Sequence, residues 1–330
     1  MKIAIYSDNN KLKPLIERLR NEKYYVETNP KRLNENVLVI SDKNISEYKS
    51  VVRNFNHFYI GDGPYARALE KDIYNKTILT MQGLYTEEEP TTYISCWFNG
   101  LDFILPAVLS VSSDRFGEHG KGVLTSSMGC VLTVLKSKSK AFKSVLSPFK
   151  ETLRRTDYKG FFTLACVIKE DSIKVNKILP YFKYDLFYAF FAGVEEELGT
   201  SFHNIAVGKK DSFHFPEDCA IAISISIPPF PYEQLNKNFS TKYLLEGFCA
   251  ENEKHIWLQN TVRDENGQVI SNGLNGKIAT VTARGTTVRE CRRRAYRTVK
   301  NISIENMQYR EDIGETARTT FEELQIWGWL

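Results

Sequence analysis

The chain has 330 residues, of which 42% are hydrophobic and 25% are charged, and its formal net charge is +4. This length suits about two or three domains at roughly 150 residues each, and the composition is typical of a globular protein. No run of about 18 uncharged apolar residues occurs, so the sequence predicts no membrane span, and the mild charge neither requires nor excludes a polyanionic partner.

The N-terminal region alternates short apolar strands with segments of helical spacing. Strands that alternate with helices favour a parallel sheet, so we expect a small parallel α/β domain over residues 1–88. The turn after the first strand, at residues 7–10, contains no glycine, although a phosphate-binding turn needs glycines for close approach to the anion. The predicted elements are strands at residues 2–6, 36–40 and 57–60 and helices at residues 11–20 and 65–74.

The middle region, residues 89–235, is predicted to be rich in β-strands. It follows a Glu-Glu-Glu-Pro linker at residues 87–90, where the proline disfavours a continuing helix. Asn99-Gly100 marks a hairpin turn, and Pro148 is expected to kink or divide the helix predicted here. The predicted elements are strands at residues 92–98, 101–110, 161–169, 173–178 and 220–227 and a helix at residues 141–155.

The C-terminal region, residues 236–330, is predicted to mix strands and helices. A turn at residues 265–267 separates two of its strands. Together the three regions predict a chain of mixed class, α/β in the N-terminal domain and α+β beyond it. The predicted elements are strands at residues 257–262, 268–271, 277–283 and 302–304 and helices at residues 286–300 and 313–324.

The last third of the sequence carries the most specific motif. Residues 272–290 have the sequence NGLNGKIATVTARGTTVRE, a glycine-bounded turn that enters a strand and then a helix, and residues 309–314 have the sequence YREDIG. This order of motifs resembles the C-terminal domain of the phosphoribosylamine–glycine ligase family. Weaker similarities to the same family occur upstream at Gly63-Pro64, Asp114-Arg115, Ser126 to Gly129, Tyr158 to Gly160, Asp185-Leu186 and Phe230 to Tyr232.

The resemblance implies an ATP-grasp fold in a truncated form. In the family two subdomains clamp ATP, whereas residues 83–92 of this chain lead almost directly from the first domain into the second half of the grasp. The family also holds Mg²⁺ through carboxylates after its central hairpin, where residues 174–182 of this chain have the sequence KVNKILPYF and only Asn176 remains as a candidate ligand. We therefore expect a truncated ATP-grasp-like middle domain, no bound metal, and neither ATP nor Mg²⁺ as a cofactor.

The resemblance places candidate ligand-binding residues in one loop and in the C-terminal motif. A loop of small residues with exposed backbone N–H groups suits a carboxylate or a phosphate, and an ordinary surface loop is the alternative. Arg310 and Asp312 either contact the ligand or pair with each other to pin the end of the chain. His119, in the same loop, and Asp114 are the candidates for acid–base catalysis, and no complete catalytic set is predicted. The candidate ligand-binding residues are Asp114, Arg115, Ser126, Ser127, Met128, Gly129, Arg310 and Asp312.

The helix predicted at residues 286–300 carries a basic face. Its spacing favours a surface that binds an anion or a nucleic acid, DNA included, through phosphate contacts. The alternative is a solvated face that is partly paired internally, as between Glu290 and Arg294 at i,i+4. The candidate nucleic-acid-binding residues are Arg289, Arg292, Arg293, Arg297 and Lys300.

Six cysteines lie far apart, mostly within apolar stretches. This pattern is typical of buried free thiols in a reducing compartment, so we expect a cytoplasmic protein without disulfides. The segment at residues 327–330, Trp-Gly-Trp-Leu, is apolar. It is expected to pack on the body of the molecule or, alternatively, on a second copy in a homo-oligomer.

Three functions are compatible with these motifs. The first is a divergent ligase-like protein that lacks ATP-dependent ligation and binds a small anionic or nucleotide-like ligand or a protein partner. The second is an ATP-independent transferase that attaches an amino acid such as glycine to an activated nucleotide or nucleic-acid base. The third is an active ligase of purine biosynthesis. We prefer the first, because the C-terminal motif is present while the ATP and Mg²⁺ elements are not.

Overall fold

A computed structural model describes residues 2–7, 12–31, 37–41, 56–59, 64–78, 81–156, 158–181, 183–209, 212–232, 242–272 and 276–330. Three segments singled out in the sequence fall largely outside the described residues. They are the glycine-free turn beyond Ser7, the Gly63 of the Gly-Pro pair, and residues 273–275 of the glycine-bounded turn.

The N-terminal region folds as the predicted parallel α/β unit. Its strands lie in the order β2-β1-β3-β4, and each neighbouring pair is parallel. The sequence does not predict β2, because Val26 is the one buried residue of its four and no apolar run marks it. The elements are β1 (Lys2–Tyr6), α1 (Lys13–Asn21), β2 (Tyr25–Thr28), β3 (Val37–Ser41), β4 (Asn56–Tyr59) and α2 (Pro64–Thr77).

The middle region is antiparallel and contains the predicted hairpins. Gly100 turns the first hairpin with a φ of +92°, a conformation that glycine adopts without a steric penalty. The helix predicted at residues 141–155 is divided at Pro148 into a π-helical turn (Phe142–Leu146), a 3₁₀ turn (Ser147–Phe149) and a short α-helix. The elements are β5 (Thr92–Asn99), β6 (Phe103–Ser112), β7 (Gly129–Leu135), α3 (Lys150–Arg155), β8 (Lys159–Ile168), β9 (Ile173–Leu179), α4 (Tyr184–Gly193), α5 (Leu198–Ala206) and β10 (Cys219–Ser226).

The C-terminal region corrects two predictions. The strand predicted at residues 257–262 is two strands, because the amides of Gln259 and Asn260 bond to β14 and turn the chain between them. The strand predicted at residues 302–304 is an isolated bridge from Ser303 to Glu246. The elements are α6 (Ala250–Glu253), β11 (Ile256–Leu258), β12 (Thr261–Arg263), β13 (Val269–Ser271), β14 (Lys277–Gly285), α7 (Val288–Lys300) and α8 (Glu315–Ile326).

One sheet runs through all three regions. Among the described residues it has 12 strands in the order β11-β14-β10-β7-β6-β5-β8-β4-β3-β1-β2, with β9 paired to β8, while β12 and β13 pair separately. In the described ranges one parallel pairing, Tyr59 with Gly160, joins the parallel part to the antiparallel part. The domain limits at residues 88 and 235 stay predictions, whereas the mixed α/β and α+β class is confirmed.

Helices cover both faces of this sheet and enclose two hydrophobic cores. Side chains of successive strand residues point to opposite faces, so on β5 Trp97 enters one core and its neighbours Cys96 and Phe98 enter the other. Helices α1, α4 and α5 pack on the Trp97 side, and α2, α3, α7 and α8 pack on the opposite side. The sheet therefore fixes which helix ends meet at the site described below.

The apolar segment at residues 327–330 packs on the body of the molecule. Trp329 is 2% exposed and donates its indole N–H to the carbonyl oxygen of Lys169, 2.9 Å away. Its own carbonyl oxygen accepts from the N–H of Ala141, and the ammonium of Lys140 lies 3.9 Å from its ring. Homo-oligomerisation stays a prediction that these contacts do not require.

Five of the six cysteines are buried and Cys249 is exposed, and all six are free thiols. The expectation of dispersed buried thiols is thus confirmed for five of them, and Cys249 is the exception. No helix in the described part of the chain is long and apolar enough to cross a bilayer.

Candidate ligand-binding site

The loop between β6 and β7, residues 113–128, is closed by its own backbone. Met128 donates its N–H to the carbonyl oxygen of Ser113 at 2.7 Å. Thr125 donates both its N–H and its hydroxyl to the carbonyl oxygen of Asp114, at 2.7 and 3.0 Å. These bonds satisfy the polar groups of the loop base, so the β6–β7 loop has a defined conformation there rather than that of an open surface loop.

The C-terminal motif holds this loop. Arg310 is 5% exposed and forms a two-pronged ion pair with Asp312, at 2.6 and 2.8 Å, while another guanidinium nitrogen donates to the carbonyl oxygen of Arg115. The N–H of His119 donates to Asp312 at 2.8 Å. Two segments about 195 positions apart are thereby joined, which supports the structural alternative for Arg310 and Asp312.

These contacts also shift the acidity of Asp312. Burial acts to raise the pKa of its carboxyl group, but the hydrogen bonds from Arg310 and from the N–H of His119 outweigh burial, so the pKa lies below its ordinary value. The carboxylate is therefore ionised over the physiological range and stays paired with Arg310.

Asp114, at the start of the loop, belongs to a partly open polar cluster. Lys183 places its ammonium nitrogen 2.8 Å from both carboxylate oxygens of Asp114. The phenol of Tyr93 donates to the same carboxylate at 3.0 Å, and the ammonium lies 4.1 Å from the centre of the Tyr93 ring. Side-chain exposure is 28% for Asp114 and 12% for Lys183, so solvent, and hence a ligand, reaches this cluster.

The acidity of Tyr93 follows from this arrangement. Burial raises the pKa of the phenol, and the negative charge of Asp114 raises it further. Tyr93 is thus a neutral hydrogen-bond donor at physiological pH.

A second cluster lies deeper, where α4 meets β10 and β14. The ammonium of Lys277 lies 3.2 Å from Asp185 and 3.0 Å from the carbonyl oxygen of Ser127. The hydroxyl of Ser224 donates to both oxygens of Asp185 at 3.0 Å. Side-chain exposure is 1% for Asp185 and 10% for Lys277, so this cluster ties the first turn of α4 to the sheet.

Charged groups of both clusters act on the thiol of Cys130. Burial raises the pKa of this thiol well above the ordinary value, and Asp185 and Asp114 act in the same direction while Lys183 and Lys277 oppose them. Lys183 directly precedes α4, and Asp185 lies in its first turn. Both clusters therefore meet the N-terminus of α4, and we call them together the α4 site.

The structure corrects the expectation for the small residues of the loop. Ser127 and Met128 are 2% and 1% exposed, and the N–H of Met128 is already bonded to Ser113. The N–H of Gly129 is not available to a ligand either, because it donates to the hydroxyl oxygen of Ser127 at 3.1 Å. Ser126 is exposed. The prediction that this segment offers free backbone N–H groups is therefore wrong at Met128 and Gly129.

Close packing explains the conformation of this segment. Gly129 has a φ of +150°, and a Cβ atom there would lie 2.5 Å from the carbonyl oxygen of Ala222. Ser127 has a φ of +153°. Both positions require a backbone conformation that side chains disfavour.

His119 does not enter the α4 site in the way predicted for a catalytic base. Its side chain is 67% exposed, and its ring nitrogen Nδ1 lies 3.8 Å from Asp312. Its φ of +52° turns the loop so that its backbone, rather than its ring, makes the short contact with Asp312. Catalysis by His119 has no geometric support here, while Asp114 remains a candidate proton acceptor.

The basic residues of α7 divide into two groups. Arg289, Arg293, Arg297 and Lys300 are exposed along one side of the helix. Arg292 points elsewhere: its guanidinium donates to the carbonyl oxygens of Ile313 and Glu311 and to the carboxylate of Glu315. Its prediction as a nucleic-acid contact is corrected, because its donors hold the C-terminal motif.

The residues at the expected Mg²⁺ position do not fit that ion. Asn176 donates its amide to the carbonyl oxygen of Glu88 at 2.8 Å and thereby ties β9 to the linker. Among the described residues its buried amide oxygen has no hydrogen-bond partner, but Asn176 stands between Lys174 and Lys177 in the sequence, and their charges repel a cation. Mg²⁺ sites use carboxylates, and no group of three or more metal-ligating His, Cys, Asp or Glu occurs within the described ranges.

Sequence analysis missed three members of the α4 site: Tyr93, Lys183 and Lys277. Two signals were present. Lys183 lies two positions before Asp185 of the family-like Asp-Leu pair, and Lys277 begins the strand predicted at residues 277–283, whose other residues carry no charge. A buried charge is paired in a folded protein, so Lys277 calls for a carboxylate partner, but the sequence does not say which one.

Comparison with known proteins agrees with this architecture. Residues 233–316 match the family model described as phosphoribosylglycinamide synthetase, C domain. The chain is 25% identical over 233 residues to a phosphoribosylamine–glycine ligase from Clostridium acetobutylicum, a match covering 64% of this chain and 51% of the ligase. The chain thus spans about half the length of that curated relative.

Solved structures share the fold. A phosphoribosylamine–glycine ligase from Thermotoga maritima superposes with a TM-score of 0.66 at 14% identity, over 95% of this chain and 100% of that one. The biotin carboxylase domain of a single-chain bacterial carboxylase gives 0.60 at 9% identity, over 99% of this chain and 98% of that one. At these identities the likeness concerns the fold alone. Together with the matched C-terminal domain, it identifies the chain as a divergent relative of the phosphoribosylamine–glycine ligase family.

Proposed function

We propose that this protein binds a small anionic or nucleotide-like ligand at the α4 site and does not ligate it at the expense of ATP. The observation that carries the proposal is the partly open Lys183–Asp114 pair. An ammonium has three N–H groups, and the hydrogen bonds of Lys183 among the described residues go to Asp114. A third N–H can donate to a phosphate or carboxylate oxygen without breaking the pair.

The surroundings of Lys183 favour an anionic group of limited size. Lys183 is the residue before α4, and the N-terminus of a helix stabilises negative charge. Asp114 is fixed by Tyr93 on one side, and the β6–β7 loop it begins is held by Arg310. The ligand-contacting groups are thus positioned before a ligand arrives, which lowers the entropy cost of binding.

The residues around Asn176 support the proposal that the chain does not carry out ATP-dependent ligation. The β9 segment offers one amide oxygen between two lysines where the family is expected to hold Mg²⁺ with carboxylates. Phosphoryl transfer depends on that ion to neutralise developing charge. ATP and Mg²⁺ therefore have no role in the proposed function.

The test is a calorimetric and thermal-shift titration with ribose 5-phosphate, AMP, glycine and ATP–Mg²⁺. Ligand at about 100 times its Kd stabilises the native state by about 2.7 kcal/mol. We expect ribose 5-phosphate or AMP to raise the Tm, and Lys183→Met to remove the effect while Lys138→Met, an exposed control, keeps it. Binding that survives Lys183→Met, or no stabilisation by any anion, would overturn the proposal.

Rescue of a purine auxotroph separates this proposal from an active ligase. We expect no growth when the wild-type chain is expressed in a strain that lacks phosphoribosylamine–glycine ligase. Growth would show that the chain carries out ATP-dependent ligation and that the surroundings of Asn176 do not prevent it.

ATP-independent transfer of an amino acid is a second candidate, favoured by the paired opposite charges of the α4 site. Lys183 suits the carboxylate of an amino acid such as glycine, and Asp114 suits its amino group. The amino nitrogen would attack a carbon that bears pyrophosphate; the C–N bond forms, the C–O bond breaks, pyrophosphate leaves with the bonding electron pair, and Asp114 accepts the amine proton. Release of pyrophosphate from an activated nucleotide, dependent on glycine and absent in Asp114→Asn, is the expected result.

A further inference from the structure

The side of α7 that faces solvent carries a row of cations that the α4 site does not use. Arg289, Arg293, Arg297 and Lys300 are all exposed. Their spacing of four, four and three positions places them on one side of the helix, one above the next. We propose that this row, the α7 stripe, binds the phosphate backbone of a nucleic acid.

The fold of α7 keeps the stripe turned outwards. Val288, Cys291, Ala295 and Val299 are buried against the sheet and fix the rotation of the helix about its axis. Arg292 and Arg294 are held at the flanks: Arg292 bonds to Ile313 and Glu315, and Arg294 pairs with Glu217 at 3.1 Å and Glu290 at 2.8 Å. The flanking arginines anchor the helix, which leaves the stripe to meet a partner.

Acidic residues neutralise little of the stripe. Glu290 lies 3.9 Å from Arg293, whose side chain is 78% exposed, but its shorter contact is with Arg294. Glu290 is also engaged at the helix N-terminus, where it accepts from the N–H and hydroxyl of Thr286. An exposed ion pair of this length contributes little, so Arg293 can exchange it for a phosphate.

A cleft at the edge of the sheet carries charges of both signs. Lys254, His255 and Arg284 line it, and so do Glu17, Glu22 and Glu253; its volume is about 590 Å³. Arg284 is paired with Glu195 at 3.0 Å. The positive charge available to a polyanion is therefore that of the α7 stripe itself.

The length of the stripe matches several phosphates. From residue 289 to residue 300 the helix rises about 16 Å at 1.5 Å per residue. One strand of a duplex carries a phosphate per 3.4 Å of helix axis, so about five phosphates occupy that length. Four cations that face such a row of phosphates bind it through charge, and these contacts do not distinguish one base sequence from another.

The experiment measures binding of the full chain to a labelled mixed-sequence duplex, and to its single strand, between about 50 and 200 mM salt. Four phosphate contacts predict a slope of log K against log salt of about −3.6 for the duplex, which is a loss of about 150-fold over this range. Arg293→Ala/Arg297→Ala should reduce the slope to about −1.8 and the loss to about 12-fold.

A matched pair of charges serves as the control. Lys136→Ala/Lys138→Ala removes two exposed cations from the loop after β7 and should leave the slope and the affinity unchanged. An equal effect of the two double variants, an unaltered slope in the arginine variant, or no binding to either nucleic acid at 50 mM salt would overturn the proposal. So would binding to vesicles of anionic lipid without binding to nucleic acid. Titration with ribose 5-phosphate gives an independent result for the α4 site.

Discussion

The two lysine–aspartate pairs of the α4 site differ in how far solvent reaches the carboxylate. Asp185 is 1% exposed and receives hydrogen bonds from Ser224 as well as Lys277, whereas Asp114 is 28% exposed. When one partner of a buried ion pair is removed, the other charge stays buried and unpaired. When one partner of a solvent-accessible pair is removed, water hydrates the remaining charge. The lysine–aspartate ion pair at Asp185 therefore stabilises the fold, whereas the pair at Asp114 is accessible to a ligand.

The largest expected effect comes from breaking the buried pair. Lys277→Met leaves the Asp185 carboxylate without its ammonium partner and should lower the free energy of unfolding by about 3–5 kcal/mol. The measurement is urea denaturation of the full chain. The double variant Asp185→Leu/Lys277→Met should be more stable than Lys277→Met alone, since no charge is then buried unpaired. A loss below about 1 kcal/mol in Lys277→Met would show that the two pairs do not differ as described.

Arg310 offers a way to loosen the loop that carries Asp114. Arg310→Met removes the partner of Asp312 and the donor to Arg115, and should cost about 2–4 kcal/mol because the Asp312 side chain, which is 9% exposed, loses its ion pair. Hydrogen exchange should show faster exchange at the N–H of His119. Arg318→Met is the control, because Arg318 is exposed and its ion pair with Glu322 spans 4.0 Å; it should change stability by less than about 0.5 kcal/mol.

The Lys183–Asp114 pair should contribute much less to the free energy of unfolding than the buried Lys277–Asp185 pair. Lys183→Met is expected to change the free energy of unfolding by only about 1 kcal/mol, since solvent reaches Asp114. Tyr93→Phe, which removes one hydrogen bond to the same carboxylate, should also cost about 1 kcal/mol. Both are measured by urea denaturation beside Lys277→Met. A cost for Lys183→Met as large as that for Lys277→Met would make the α4 site a purely structural feature.

Acid titration is expected to give the smallest effect. The pKa of Asp312 is lowered in the folded state, so its contribution to stability is present above the unfolded value of about 3.9 and is lost as the pH falls through the folded value. The free energy of unfolding of wild type should therefore exceed that of Asp312→Asn near neutral pH, and this difference should disappear at acidic pH. It is measured by urea denaturation at a series of pH values. A difference in the free energy of unfolding that persists unchanged below pH 3 would contradict the lowered pKa of Asp312.

Local patterns predicted much of the fold. Alternating strands and helices indicated the parallel N-terminal sheet, and Asn99-Gly100 and Pro148 marked a turn and a break that the structure confirms. Elements without a distinctive pattern were missed: β2 has one buried residue, and β7 begins in a segment interpreted as a loop. Among the described residues one pairing, Tyr59 with Gly160, joins the parallel and antiparallel parts of the sheet, and no local pattern encodes a pairing over that distance.

The candidate site was predicted less well than the fold. The resemblance pointed to Asp114 and to the Arg310–Asp312 motif, and the structure joins these segments. It could not reveal the partners, because Lys183 reaches Asp114 across 69 positions and Lys277 reaches Asp185 across 92. The burial of Met128 is a further consequence of tertiary packing. Residue type and spacing therefore identified groups able to bind, while the fold decided which groups are already occupied.

The placement of Trp329 has a consequence for how the protein is made. Its indole bonds to Lys169, 160 positions earlier, and its carbonyl oxygen to Ala141. At about 5–20 residues per second, a ribosome needs roughly 8–30 s to add the intervening residues. During that interval the surface that receives Trp329 is uncovered on the nascent chain. The packing around Lys169 and Ala141 can therefore be completed only after residue 329 has been added.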